Sequence, residues 1–188
     1  SMIVDIGAGT TDICLVRGYY PTREDQVSYP IAGDAIDNRL NELIRRKWPD
    51  LNLTRVTVTR LKEKYSFVEA HREEANVKLY ADGKPRMLDI ADLVCESCEI
   101  LVPVITKGIK ELLKQCDSDS VQYILQNVIL CGGGSAILGL SDMVQKQLRD
   151  EGYDDTVCKT PADYQRLVAI GALKVAEGVK DNQWQIPI

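Results

Sequence analysis

The tightest constraint on this chain is a pair of glycine turns, each hung on the end of a short apolar run. The first, Asp5-Ile6-Gly7-Ala8-Gly9-Thr10-Thr11-Asp12, follows Ile3-Val4 and leads into Ile13-Cys14-Leu15-Val16. This pattern predicts strand, turn, strand, with backbone N–H groups facing outward and no side chain in the way. Such a turn wraps phosphate oxygens. Asp5 and Asp12 would repel phosphate by themselves; they suit it when a divalent cation and its waters lie between. The second turn, Gly132-Gly133-Gly134-Ser135, follows the buried-strand pattern Val128-Ile129-Leu130-Cys131 and precedes a helical segment from about Leu138 to Arg149. A strand, a glycine run and a helix start together bring backbone close to a nucleotide. Taken singly, the first string also suits a hairpin with solvated carboxylates, and the second a tight turn needing positive φ. Their joint presence favours a shared ligand.

The order of these motifs resembles the superfamily of ATP-binding folds that holds actin, the heat-shock chaperone ATPases and the sugar kinases. Asp5 to Asp12 is similar to its second phosphate loop, Gly132 to Ser135 to its adenosine loop, and Ala169-Ile170-Gly171-Ala172 to its second connecting segment. Ala32-Gly33-Asp34 and Lys62-Glu63-Lys64 resemble the actin-branch segments that border ribose and adenine. Between these generic motifs, the runs Asp5–Cys14, Glu24–Val27, Lys62–Val68 and Leu125–Leu140 resemble the magnetosome actin-like family typified by MamK. The likeness extends from about Ile3 to about Ala176, with MreB-type bacterial actins as the close competitor.

This resemblance implies a ribonuclease-H-like, actin-type α/β ATPase domain: a mixed sheet flanked by helices, with a small inserted lobe. It implies ATP or ADP with Mg²⁺ as cofactors. Asp5 is the candidate metal-side carboxylate, acting through water, with Asp12 as a second. Backbone N–H groups of Gly7, Ala8, Gly9, Thr10 and Thr11 would hold the β- and γ-phosphates, helped by the two threonine hydroxyls. Charge-assisted hydrogen bonds of this kind contribute roughly 1.5–3 kcal/mol each. Gly132, Gly133, Gly134 and Ser135 would flank the adenosine, with Gly33 and Asp34 on the ribose side. Lys62 would border the base and Glu63 would accept from the ribose. Without the resemblance, that Lys-Glu-Lys run reads as solvated charge on a helix.

No catalytic residue is expected in this chain. In the superfamily the first half supplies the first phosphate loop and the residue that positions the attacking water, and here the chain opens at the second loop. Ser1-Met2 reads as a tag remnant followed by a start or a cut boundary. The expectation is therefore the second half of an actin-like protein, with hydrolysis near background on its own. The expected partners are further copies, full-length actin-like subunits and magnetosome-associated adaptors, within cytoskeletal filaments that align magnetosomes. Two other classes stay open: a stand-alone module that tunes a full-length filament, and a sugar-kinase relative, for whose substrate insertions the chain has little room.

Length and charge agree with this. A chain of 188 residues can bury a substantial core. Its net charge of −5 argues against a nucleic-acid surface. The sequence shows no apolar run of membrane-spanning length, no basic tail and no cleavable signal, so a soluble cytoplasmic protein without direct membrane insertion is expected. Of six cysteines, only Cys95 and Cys98 form a close pair, inside a predicted helix. Reduced thiols are expected, with Cys14 and Cys131 packed in strands.

Segments 1–32 and 93–177 are expected to form a core lobe, 33–92 the inserted lobe and 178–188 a tail in which Trp184, Ile186 and Ile188 are candidates for docking. Helices are predicted after Asp34 as far as Pro49, over Thr54–Lys64, from Asp89 or Asp92 to about Gln115 with a break near Pro103, and over Val121–Gln126 and Asp163–Ala176. Asp82-Gly83 marks a hairpin between Val77–Ala81 and Arg86–Ile90. A last strand is predicted over Thr156–Lys159.

Overall fold

A computed structural model describes residues 1–18 and 21–178. The docking candidates of the tail lie outside the described residues. Five strands form one mixed sheet in the order β3-β2-β1-β6-β7: β1 (Met2–Ile6), β2 (Thr11–Leu15), β3 (Gln26–Tyr29), β6 (Val128–Cys131) and β7 (Cys158–Lys159). The first three run antiparallel as a meander, whereas β1 pairs with β6, and β6 with β7, in parallel. Alternation along β1 buries Met2, Val4 and Ile6 completely, the period-two signature of a strand. Parallel pairing has the geometric consequence that matters here. The turns leaving β1 and β6 exit at the same sheet edge, where Asp5 is opposite Cys131.

Helices cover the sheet. Helix α4 (Leu101–Leu113) runs against β2 and β3 with Leu101, Ile105, Ile109 and Leu112 fully buried. The predicted long helix is two: α3 (Ala91–Glu99) ends before Ile100, and α4 restarts. Pro103 thus falls in the first turn of α4, where its missing N–H has no partner to lose. The Asp89 carboxylate accepts from the Ala91 amide at 2.9 Å at the start of α3.

Within segment 33–92, α1 (Gly33–Lys47) buries Ile36, Leu40, Leu43 and Ile44 against α2 (Arg55–Tyr65) and α3. Thr54 caps α2 through its hydroxyl, which accepts from the Thr57 amide at 3.2 Å. The hairpin β4 (Asn76–Ala81) and β5 (Lys84–Asp89) turns at Asp82 and Gly83, both with φ near the left-handed region (48° and 74°), as a type I′ turn requires. Segment 33–92 is also stitched to the glycine turn after β6. Phe67 bridges Leu138, and the Val68 amide donates to the Leu138 carbonyl at 3.0 Å. His71 Nε2 lies 2.8 Å from Asp142 of α6 (Leu140–Asp150).

The remaining helices are α5 (Ser118–Leu125) and α7 (Leu167–Gly178). Helix α7 begins four residues later than the periodicity suggests, after a turn over 162–166, and none of its residues is buried. The last strand is shorter than predicted, because Thr156 is buried in a turn instead, its hydroxyl donating to the Tyr153 carbonyl. All six cysteines are free; Cys131 is buried and Cys14 half-buried. No helix among the described residues is long and apolar enough to cross a membrane.

Candidate functional site

The two glycine turns meet. A cavity of about 540 Å³ is lined by Gly7 and Ala8 after β1, Gly133, Gly134, Ala136 and Ile137 after β6, Gly33 and Ile36 of α1, Lys62 and Glu63 of α2, Ser66, and Tyr164 with Gln165 before α7. Its size suits a nucleotide-sized ligand. Contact between the turns is direct. Gly132 sits at φ +78°, and a Cβ there would fall 2.6 Å from the Ile6 carbonyl and collide with the Asp5 carboxylate. Only glycine allows that approach. The Gly132 amide is held by the Tyr164 carbonyl at 3.0 Å, which fixes the later wall of the cavity to the same turn.

The phosphate-loop candidates fall into two groups. Gly7 and Ala8 face the cavity and are anchored from behind: the Gly33 amide donates to the Gly7 carbonyl (3.1 Å) and the Asp34 amide to the Ala8 carbonyl (2.7 Å). Gly9, Thr10, Thr11 and Asp34 are not part of its lining. Thr11 is fully buried, its hydroxyl donating to the Ile31 carbonyl at 2.7 Å, and Thr10 donates to Asp12 at 2.8 Å. Asp34 pairs with Arg55 at 2.8 Å. In the second turn, Gly133 and Gly134 line the cavity while Gly132 and Ser135 lie behind them, the Ser135 hydroxyl donating to the Gly132 carbonyl at 2.8 Å. Lys62 and Glu63 both reach the cavity, and Lys62 is tied to its wall through the Gly33 carbonyl at 3.0 Å.

Asp5 and Asp12 stand directly opposite each other on β1 and β2. Like charges in that register repel. Burial, and then the Asp12 charge, push the Asp5 carboxyl above its ordinary range. A carboxyl with a raised folded value stabilises the fold below its unfolded value of about 3.9, and that contribution disappears as pH rises through the folded value. The ionised form of Asp5 is therefore the costly one, and a nearby cation would offset that cost. Among the described residues no cluster of three or more His, Cys, Asp or Glu could hold a metal unaided. Two carboxylates suit Mg²⁺, which keeps most of its waters and shares its remaining positions with phosphate oxygens.

Sequence reasoning did not single out Ile36, Ser66, Ala136, Ile137, Tyr164 and Gln165. Ser66 and Ile137 lie inside the runs that resemble a known family, so their proximity to the glycine turns was the available signal. Tyr164 and Gln165 were hidden by a helix predicted to begin too early.

Comparison with known proteins adds the family. The model of the MreB/Mbl protein family matches residues 1–183. The chain belongs to the MreB/Mbl family. Within it, the chain is 38% identical over 184 residues to the actin-like protein MamK of Magnetospirillum gryphiswaldense, covering 98% of this chain and 51% of that protein. It superimposes on the MamK double helical filament with a TM-score of 0.90 at 38% identity, over 96% of this chain and 55% of that one. A non-polymerising MamK mutant bound to AMPPNP gives 0.86 at 38% identity, over 94% and 54%. The fold is therefore actin-like. This MreB/Mbl chain spans about half the length of the curated relatives it matches.

Proposed function

We propose that this chain is the second, nucleotide-binding half of a MamK-like actin subunit, taking ATP or ADP with Mg²⁺ in the cavity between its two glycine turns. Segments 1–32 and 93–177 would be its core lobe and 33–92 its inserted lobe. One observation carries the reading: Gly7-Ala8 and Gly133-Gly134, remote in sequence, are walls of one cavity. The nucleotide bound by a relative of the same fold supports it. In this reading the first turn holds phosphate oxygens through amides other than that of Gly7, which donates to the Thr10 carbonyl at 3.0 Å, and the second turn lets the adenosine lie flat against backbone. Glu63 accepts from a ribose hydroxyl, and Asp5, with Asp12, orders the waters of the cation. Bound Mg²⁺ would supply neutralising charge between those carboxylates and the phosphates. The whole protein would self-associate into filaments, as the MamK relative does; these would be cytoplasmic, with magnetosome adaptors as partners and with turnover requiring residues of the other half.

Titration of the chain with a fluorescent ATP analogue tests this. Gly133 has open space where a Cβ would go and faces the cavity. Gly133→Val should therefore leave the thermal melt unchanged and weaken binding at least about tenfold, on the order of 1.4 kcal/mol. Equal affinity in the variant would remove the reading.

A further inference from the structure

Asp37 is a buried carboxylate that the reading above leaves without a task. It lies on α1, is 4% exposed and does not line the cavity. Its Oδ2 accepts from the Thr59 hydroxyl at 2.7 Å, and its Oδ1 lies 2.8 Å from Lys62 Nζ. That second oxygen has no aligned hydrogen-bond donor, so it holds Lys62 by charge rather than by a directed bond. Burying a carboxylate is costly, and an ion pair of this kind often adds little stability over an apolar pair of the same shape. Its geometry supplies a different use.

The Lys62 ammonium, itself largely buried, donates to the Gly33 carbonyl at 3.0 Å. The Gly33 amide in turn donates to the Gly7 carbonyl, and the adjacent Asp34 amide to the Ala8 carbonyl. There is no slack in this contact: a Cβ on Gly33 would sit 3.3 Å from both the Gly7 oxygen and Lys62 Nζ. A continuous line of charge and hydrogen bonds thus runs from Asp37 through Lys62 and Gly33 to the backbone of the first glycine turn.

We propose that Asp37 is a positioning residue of the nucleotide site: it fixes Lys62, Lys62 clamps Gly33, and Gly33 holds the Gly7-Ala8 backbone in its phosphate-ready shape. The inference rests on the nucleotide reading for its purpose, but the latch itself can be measured without ligand. Neutralising Asp37 frees Lys62 from its anchor, and the turn loosens.

The test has two arms. In ligand-free chain, Asp37→Asn should speed hydrogen exchange of the Gly33 and Asp34 amides about tenfold, while Val4 and Leu130 amides in the sheet keep their rates. Unchanged exchange at Gly33 and Asp34 would overturn the latch. In the second arm, ATP affinity is measured for Asp37→Asn, Lys62→Met and the double variant. Asp37→Asn should lose about tenfold, and the double variant should match Lys62→Met, because Asp37 acts only through Lys62. Additive losses would overturn the proposal, since a general weakening of the fold adds whereas a relay does not. Should Asp37→Asn fail to fold, the double variant, which leaves no unpaired buried charge, still gives the comparison with Lys62→Met. If the unmodified chain binds no ATP, the nucleotide reading falls, and the exchange arm alone decides the latch.

Discussion

Helices α4 and α7 are both rich in apolar residues, yet α4 buries nine of its thirteen residues and α7 buries none of its twelve. Val168 and Leu173 of α7 are 61% and 59% exposed. The difference is in what each helix faces. Strands β2 and β3 present Ile13, Val27 and Tyr29 to α4, and Gly108 lets the helix come close enough for them to interlock. No such surface meets α7 among the described residues. Apolar composition makes burial favourable, but a complementary neighbour makes it happen.

Four substitutions put this contrast to the test. The largest effect is expected from Ile105→Ala at the centre of α4. Deleting a fully buried aliphatic side chain should cost about 2–5 kcal/mol in urea unfolding, and a loss below about 1 kcal/mol would mean that the packing of α4 on the sheet does not hold the fold. Next is Gly108→Ala, whose new methyl would lie 2.9 Å from the Tyr29 ring. Overpacking should cost about 1–3 kcal/mol, measurable as a lower denaturation midpoint.

Smaller again is Tyr29→Phe. The Tyr29 hydroxyl donates to Glu111 of α4 at 2.8 Å, and burial followed by that carboxylate pushes the phenol up to about 12. The linked stability is fully present below the unfolded value of about 10 and is lost as pH climbs through about 12. The variant should cost about 1 kcal/mol at neutral pH and erase one late-titrating tyrosine from the ultraviolet absorbance titration. Smallest is Leu173→Asp on α7. It should shift stability by no more than about 0.5 kcal/mol, and a thermal melt lowered as far as that of Ile105→Ala would show the two helices to be alike after all.

The same contrast explains what was legible in the sequence. Features governed by local stereochemistry could be read directly: the Asp82-Gly83 hairpin, the glycine turns after Val4 and Cys131, and a helix restart around Pro103. The fold class followed from them together with the family resemblance. Features decided by neighbours could not be read. Thr11 and Ser135 carry hydroxyls suited to a ligand, but the carbonyls of Ile31 and Gly132 accept from them. Lys62 has the composition of a solvated helix surface, yet it is drawn inward by Asp37, a residue whose partner twenty-five positions away no periodicity announces. For α7, apolar spacing predicted a helix correctly and said nothing about whether anything would cover it.

The in-register pairing of Met2 with Val128 also sets a timetable. During synthesis the β1-β2-β3 meander emerges before β6 and carries an apolar strand whose free edge has no partner until Val128–Cys131 leaves the ribosome. Closing so long a loop is slow, and an unpaired edge invites pairing with other chains. Until that pairing forms, the cavity between the two glycine turns lacks the wall that Gly133 and Gly134 supply.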